Sequence, residues 1–269
     1  MKKLHEILEA VREKQPLIHC ITNPISINQC ANGILAIGAR PMMAEHPKEV
    51  REITETAGAL VLNLGNITDA RMQSMAISLQ TAKEKHIPVM LDAVGIACSK
   101  LRRDYVAHLL NTGMPTVIKG NYSEIYALYQ GDYHSSGVDA DTEISRDILC
   151  DAAVQLARKY GTVILASGKT DVVTDGKRLV RIHNGTKQLS SVTGTGCMLG
   201  ALCGTYLSVC TDMDAAVAAC AVLGICGELA ETEKGSGSFM VNLMDALSTL
   251  TAQQLEQYIS MEETQYAEI

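Results

Sequence analysis

Short, almost continuously apolar runs alternate with longer helical patterns over the first two-thirds of the chain. The apolar runs predict six strands, at residues 16–21, 40–44, 58–65, 87–92, 115–120 and 162–167. Apolar residues at helical spacing predict helices at residues 26–37, 47–56, 68–85, 100–111, 122–129 and 143–159. Strands that lack polar alternation are typical of a sheet covered on both faces. This alternation of strand and helix predicts βαβ units and a mainly parallel sheet.

The pattern changes after Ser167. Residues 171–183 are predicted to form two strands around an Asp175–Gly176 turn, because Asp-Gly between apolar runs is the strongest short-range hairpin signal. The last third is mostly helical, with helices predicted at residues 197–210, 212–231, 241–249 and 252–259. The sequence shows no linker, repeat or low-complexity tract. We therefore expect residues 1–269 to form one α/β domain.

Composition and charge exclude several classes of protein. With 47% hydrophobic and 20% charged residues, the chain is not a disordered one. Its 23 Lys and Arg against 30 Asp and Glu give a net charge of −7, so it has no basic surplus for nucleic acid or anionic membrane. The sequence contains no run of about 18 uncharged apolar residues, so it predicts no membrane span. A local phosphate site is still compatible with these properties.

The nine cysteines indicate a reducing compartment. Their number is odd, and they form neither a CxxC pair nor a zinc-type cluster with histidine. The N-terminal segment MKKLHEILEAVREK has the pattern of an amphipathic helix rather than of a signal peptide. We therefore expect a cytoplasmic protein whose reduced cysteines mostly pack as small hydrophobic residues.

The segment at residues 191–209 carries the most informative motif. A strand or loop ends at Gly194-Thr195-Gly196, and a helix is predicted to start at about Cys197. Glycines allow close backbone approach, and the first turn of a helix presents unpaired N–H groups. Together they would form an anion hole for a phosphate or for charge that develops during phosphoryl transfer. The alternative is a tight turn before a packed helix, and the Gly-x-Gly spacing alone does not choose between the two.

Cys197 is the one cysteine predicted at a helix N-terminus, where the helix dipole is expected to lower the thiol pKa. It is a candidate for a base, a nucleophile or a polar wall of the site. A purely packing role suits the other eight cysteines better. A cysteine hydrolase would need a histidine partner, and none of the seven histidines stands in a supporting motif.

Polar or soft side chains follow several predicted strands. Ligands of open α/β sheets bind beyond the carboxyl ends of the strands, so these residues are site candidates. They are Asn23, Met43, Asp92, Lys119 and Ser167. The ordinary alternatives are a core position for Met43 and a helix cap for Asp92.

Asn121 and Glu124 open the helix after the fifth strand with a capping-box pattern, which explains both residues structurally. The functional alternative places Glu124 near a hydrated Mg²⁺ and Lys119 over nucleotide phosphates. The residues by themselves thus indicate a phosphate-handling α/β enzyme of unspecified substrate.

A set of motifs resembles the hydroxyethylthiazole kinase family of the ribokinase-like superfamily. In chain order they are HCITN, NQCANGILAIGARPMM, GALVLNLG, VMLDAVG, VIKGNYSEI, GVDA, HNGTKQLSSVTGTGCMLG and KGSGSF. The resemblance implies a three-layer α/β/α ribokinase-like fold. It also implies ATP- and Mg²⁺-dependent phosphorylation of the primary alcohol of 4-methyl-5-(2-hydroxyethyl)thiazole in thiamine biosynthesis and salvage. The implied assembly is a homotrimer with active sites near the subunit interfaces.

The resemblance also implies roles for single residues. Cys197 stands where most ribokinase-like kinases have an aspartate base, and Gly194 would form the anion hole beside the alcohol. Asn23 and Met43 would line the thiazole pocket. Asp92 and Glu124 would hold Mg²⁺, largely through waters. The positions implied to contact ATP are Lys119, Asn121, Ser167 and Gly196.

The chain departs from the family pattern at three places. Lys119 replaces the usual arginine, which loses the planar fork but keeps the charge. Ser167-Gly168-Lys169 replaces a typical Thr-Gly-Glu, and Ala93 follows Asp92 where proline is usual. Two rival functions are a kinase for another vitamin precursor, such as a hydroxymethylpyrimidine, and a ligand-binding regulator that has lost catalysis. The HCITN motif and Cys197 argue against the first rival, and the retained acids Asp92 and Glu124 argue against the second.

Overall fold

The computed structural model describes residues 4–131 and 146–266. Its nine strands are β1 Leu17–Ile21, β2 Arg40–Met42, β3 Ala59–Asn63, β4 Val89–Asp92, β5 Val117–Asn121, β6 Val163–Ser167, β7 Asp171–Thr174, β8 Arg178–Ile182 and β9 Met261–Gln265. They form one sheet in the order β2-β1-β3-β4-β5-β6-β7-β8-β9. Strands β1 to β6 are parallel, which confirms the predicted βαβ organisation.

The C-terminal side of the sheet is antiparallel. Strands β7 and β8 form the predicted hairpin, and the Asp175 carboxylate closes its turn by accepting the N–H groups of Lys177 and Arg178 at 2.9 and 2.7 Å. Gly176 occupies the turn with a φ of +88°, a conformation that glycine adopts without strain. Strand β9 pairs with β8 and was not predicted, because its sequence MEETQ has no apolar alternation.

Eleven α-helices lie within the described ranges. They are α1 Leu4–Lys14, α2 Ile27–Ala36, α3 Val50–Thr56, α4 Asp69–Lys85, α5 Lys100–Thr112, α6 Tyr122–Gln130, α7 Arg146–Tyr160, α8 Thr195–Leu207, α9 Met213–Leu229, α10 Ser236–Thr249 and α11 Ala252–Tyr258. None of them has the length and hydropathy needed to span a bilayer. Helix α8 begins at Thr195, two residues before the predicted start at about Cys197. The predicted start at residue 241 was wrong, since α10 begins at Ser236. The GVDA motif and the predicted start of α7 at residue 143 lie outside the described residues.

Helices cover both faces of the sheet and give the three layers that the resemblance implied. Alternate strand residues point to opposite faces, as a pleated strand requires. Val61 and Met90 belong to one core cluster with residues of α1, α2 and α8 to α11. Leu60 and Leu91 belong to a second cluster with residues of α4 and α5, and Ile118 to a third with residues of α6 and α7. The strands are therefore buried on both sides, which explains their continuous apolar sequences.

Candidate active site

Strand register brings three polar side chains together at the carboxyl edge of the sheet. Asn63 pairs with Asp92 across β3 and β4, and Asp92 pairs with Lys119 across β4 and β5. The Lys119 ammonium lies 3.0 and 3.1 Å from the two carboxylate oxygens of Asp92. The Asn63 amide donates to Asp92 Oδ2 at 2.9 Å. Asp92 and Lys119 are 0% and 3% exposed, so this is a buried, hydrogen-bonded ion pair.

The charges at this edge depend on one another. Burial raises the pKa of Asp92, while the ammonium of Lys119 and the amide of Asn63 oppose that rise. Burial alone would lower the pKa of Lys119, but Asp92, Glu124 and Cys197 together raise it above its ordinary value. Lys119 is therefore a permanent positive charge at neutral pH, and Asp92 is its principal counterion.

Glu124 reaches the same edge from the first turn of α6. Its Oε2 accepts the N–H of Asn121 at 2.7 Å, and the Asn121 side chain accepts the N–H of Glu124 at 2.9 Å, which forms the predicted capping box. Its Oε1 accepts the N–H of Gly95 at 2.6 Å. Burial and the nearby Asp92 raise the pKa of Glu124 to about 7. Glu124 thus has a structural role at the helix cap and stands in the electrostatic field of the Asp92–Lys119 pair.

The two carboxylates fit a hydrated Mg²⁺ rather than a direct coordination shell. Lys119 and Asn63 already contact the oxygens of Asp92, and each oxygen of Glu124 accepts one backbone N–H. A carboxylate oxygen has two lone pairs, so unused acceptor capacity is left on both residues. Among the described residues, no three His, Cys, Asp or Glu side chains cluster as a metal site. Mg²⁺ commonly keeps several waters and binds through one or two carboxylates.

The first turn of α8 faces this edge. Gly194 is its N-cap with a φ of +91°, and the first bond within the helix runs from Met198 N to Gly194 O at 2.8 Å. The N–H groups of Thr195, Gly196 and Cys197 precede that bond, so they have no carbonyl partner within the helix. A Cβ on Gly194 would lie 2.9 Å from Ser26 Cβ, whereas a Cβ on Gly196 would meet no atom of another part of the described chain within 4 Å. The backbone is therefore open at Gly196, as an anion site requires.

Cys197 is the third residue of α8 and is partly buried. Burial and the Asp92 carboxylate raise its pKa, while Ser26, Lys119 and Asn63 act to lower it. The net direction is upward, so the sequence-based expectation of a lowered pKa was wrong. The physical reason is the neighbouring carboxylate and the loss of solvent, which sequence position does not reveal. At neutral pH the thiol is mostly protonated.

The remaining predicted residues lie at or just after the carboxyl ends of β1, β2 and β6. Asn23 follows β1, and its Nδ2 lies 2.7 Å from the point where a Cβ on Gly65 would stand. Met43 follows β2, is partly buried and packs against the core, so its packing role is real. Ser167 ends β6 opposite Asn121, and its hydroxyl donates to the Gly120 carbonyl at 3.4 Å.

Sequence reasoning missed two polar residues at this edge. Asn63 ends β3 within the run GALVLNLG, and its position as the only polar residue of that strand was an available signal. Asp171 opens β7 beside the end of β6, and its contact with the edge required knowledge of the hairpin's position.

Comparison with known proteins adds an independent line of evidence. The model of the hydroxyethylthiazole kinase family matches residues 8–253 of this chain. The chain is 46% identical over 251 residues to hydroxyethylthiazole kinase 2 of Clostridium botulinum strain Hall, covering 91% of this chain and 95% of that protein. It is 37% identical to hydroxyethylthiazole kinase 1 of Methanosphaera stadtmanae, over 93% of each chain.

Solved structures show the same relationship at the level of the fold. The hydroxyethylthiazole kinase protein of Pyrococcus horikoshii OT3 superposes with a TM-score of 0.90 at 34% identity, over 98% of this chain and 100% of the other. A ribokinase-like superfamily protein from Enterococcus faecalis V583 has a TM-score of 0.64 at 12% identity, over 93% and 94% of the two chains. The second likeness concerns the fold alone and confirms the ribokinase-like architecture.

Proposed function

Since this chain belongs to the hydroxyethylthiazole kinase family, we propose that it phosphorylates 4-methyl-5-(2-hydroxyethyl)thiazole on its primary alcohol with ATP, at the carboxyl edge of the sheet. The product is the thiazole phosphate of thiamine biosynthesis and salvage. The observation that carries the proposal is the convergence of the first turn of α8 with the buried Asp92–Lys119 pair, joined through the side chain of Asn63.

Phosphoryl transfer requires alignment and charge stabilisation more than a strong base. The Gly194–Gly196 turn offers backbone N–H groups and the positive end of the α8 dipole to the transferring phosphoryl group. Lys119 adds a fixed positive charge whose position is set by Asp92. These groups are built into the fold, so they stabilise developing charge without rearranging during the reaction.

Cys197 would accept the alcohol proton as it leaves. Because its pKa is raised, the thiolate is a minor species at neutral pH, and we assign Cys197 a smaller share of the rate than the α8 amides. A loose transition state tolerates this, since the proton can leave late. Asn23 and Met43 would border the thiazole ring, and Ser167, Asn121 and Gly196 would meet the nucleotide.

We also propose a hydrated Mg²⁺ beside Asp92 and Glu124. Such an ion neutralises charge on the phosphates. Replacing either carboxylate by alanine is expected to weaken Mg²⁺-dependent turnover much more than thiazole binding, because the thiazole is uncharged. Mg²⁺ titrations at saturating substrates test this, with thiazole binding measured separately by calorimetry. Wild-type titration curves in both variants would show that the carboxylates are only structural.

Coupled ADP release with a panel of heteroaromatic alcohols tests the function itself. We expect turnover with the thiazole alcohol and at least tenfold lower kcat/KM with the hydroxymethylpyrimidine alcohol. Preference for the pyrimidine alcohol would overturn the proposed substrate. Binding of the thiazole alcohol without turnover would indicate a regulator. Hydrolysis of an ester substrate that is abolished completely by rapid alkylation of Cys197 would indicate a cysteine hydrolase.

We propose that residues 1–269 form one domain, since the described strands share a single sheet. All nine cysteines are free thiols, and seven of them are buried. These thiols support the proposal of a cytoplasmic location, where the compartment keeps them reduced.

We propose that the protein forms a homotrimer whose subunits contact one another through an exposed apolar face at the β2 end of the sheet. Large side chains are exposed on neighbouring elements there, namely Ile25, Leu35 of α2, Met42 of β2 and Val241 of α10. Helix α2 packs against both β2 and α10, so these elements are contiguous. Asn23 and Met43 lie close in sequence to this face, and the active site would therefore be near the subunit interface.

Charging this face is expected to dissociate the trimer. Leu35→Lys together with Val241→Lys would bury two ammonium groups in an apolar contact, which is costly. Sedimentation velocity should show a trimer for the wild type and monomers for the double variant. Leu101→Lys on α5 is the matched control, because Leu101 is equally exposed but lies on the other face of the sheet. A wild-type protein that sediments as a fully active monomer would contradict the assembly.

A further inference from the structure

The loop between β6 and β7, residues 167–171, lies beside the proposed nucleotide contacts and contains a carboxylate without an assigned role. Asp171 Oδ1 accepts the N–H of Gly168 at 3.0 Å, so the carboxylate closes the loop across its base. The loop begins at Ser167, which pairs with Asn121 at the end of β5. The hydrogen bond thus sets the backbone that follows directly after Ser167.

Groups from two other parts of the chain act on the Asp171 carboxylate. The Cys220 thiol of α9 interacts with it, and the positive charge of Lys119 on β5 acts on it as well. Burial raises the pKa of Asp171 to about 6, so the group is still mostly ionised at pH 7. Asp171 is partly buried, and an ionised carboxylate in such a place is stabilised by donors aimed at it. The Gly168 N–H is one of them.

A second contact, with the side chain of Tyr122, supports the loop. A Cβ on Gly168 would lie 2.6 Å from the ring of Tyr122, so only glycine allows the loop to pass this close to that ring. The Tyr122 hydroxyl donates to the Thr170 carbonyl. Lys169 lies between these two contacts and is exposed at the edge. The loop is therefore held at two points, while Gly168 and Lys169 are exposed to solvent between them.

We propose that Asp171 is a positioning residue for the nucleotide: its hydrogen bond to Gly168 holds residues 167–170 in the conformation that meets the ATP polyphosphate. The inference rests on the proposed kinase function. Asp171 acts through the Ser167 hydroxyl and the backbone of Gly168 and Lys169, and it does not touch the nucleotide itself. The thiazole site lies at the other end of the edge, beside Asn23 and Met43, so the role of Asp171 is confined to the nucleotide.

The test compares two aspartates that make the same kind of bond at opposite ends of β7. Asp171→Ala removes the acceptor for Gly168, whereas Asp171→Asn keeps an oxygen there. Asp175→Ala is the matched control, because Asp175 also accepts backbone N–H groups but in the remote hairpin turn. Binding of a non-hydrolysable ATP analogue with Mg²⁺ is measured by calorimetry, and KM for ATP, KM for the thiazole alcohol and kcat are measured by ADP release.

We expect Asp171→Ala to raise both the Kd for the analogue and the KM for ATP about tenfold, the usual effect of one lost hydrogen bond to a charged group. The thiazole KM and kcat should stay within about twofold. Asp171→Asn should rescue nucleotide binding to within about threefold, and Asp175→Ala should leave it unchanged. If Asp171→Ala does not fold, Asp171→Ser provides the same comparison, because its shorter side chain does not reach the Gly168 N–H.

Three results would overturn the inference. The first is an unchanged Kd for the analogue in folded Asp171→Ala, and the second is an equal rise in the thiazole KM. The third is an equal loss in Asp175→Ala, which would mean that hairpin stability is responsible. Normal analogue binding by both the wild type and Asp171→Ala would refute the role of Asp171 and leave the kinase function intact. No analogue binding by the wild type would overturn both.

Discussion

Asp92→Asn is expected to lower the free energy of unfolding by about 3–5 kcal/mol, the usual effect of removing one partner from a buried ion pair. The substitution preserves shape but leaves the Lys119 ammonium buried without its principal counterion. Deprotonating that lysine at pH 7 to avoid the buried charge would itself cost about 5 kcal/mol, from its ordinary pKa of about 10.4. Chemical denaturation at pH 7 measures the loss.

The Lys100–Asp104 pair on α5 is the matched control for this experiment. Its nitrogen–oxygen distance of 2.7 Å is shorter than in the buried pair, but its side chains are 80% and 61% exposed. Asp104→Asn is therefore expected to change stability by less than about 0.5 kcal/mol. The double variant Asp92→Asn with Lys119→Met should recover much of the loss. An equal loss in the single and double variants would show that the ion pair is not responsible.

Cys197→Asp is expected to remain an active kinase, whereas Cys197→Ala is slowed by at most about a hundredfold. General-base removal typically costs 10²–10⁴-fold, and a mostly protonated thiol in a loose transition state places the loss at the bottom of that range. A carboxylate ionises at a lower pH than a thiol, so more of the base is deprotonated in the Asp variant, while its charge repels the incoming phosphates. Measurement of kcat at saturating MgATP and thiazole alcohol compares the variants.

The pH dependence of kcat distinguishes the two bases. Because the pKa of Cys197 is raised, wild-type kcat should increase from pH 6 to 9 as the thiolate population grows. The Cys197→Asp profile should level off at a lower pH than that of the wild type, since a carboxylate loses its proton at a lower pH than a thiol in the same surroundings. A dead Asp variant that folds and binds ATP normally would show that Cys197 performs chemistry unavailable to a carboxylate. Covalent catalysis would then become the leading mechanism.

Much of the architecture could be predicted from local patterns. Continuous apolar strands between helical segments predicted a parallel sheet covered by helices on both faces, and the Asp175–Gly176 turn predicted a hairpin. The same patterns located the carboxyl edge, because Asp92 and Lys119 end their strands. These features depend on residues close together in sequence, where periodicity and turn chemistry operate. The ordered motifs across the chain likewise indicated the family, which the comparisons confirmed.

Other features arise only from contacts between distant segments. Strand β9 is polar, and its extended form depends on pairing with β8, about 80 residues away. The pKa of Cys197 rises because the folded chain buries the thiol and because the Asp92 carboxylate of β4 lies near it. Asp171 gains its role from a loop, a helix and a lysine on β5. Burial and the electrostatic interaction of charged groups are properties of the folded neighbourhood, so only the tertiary structure decides them.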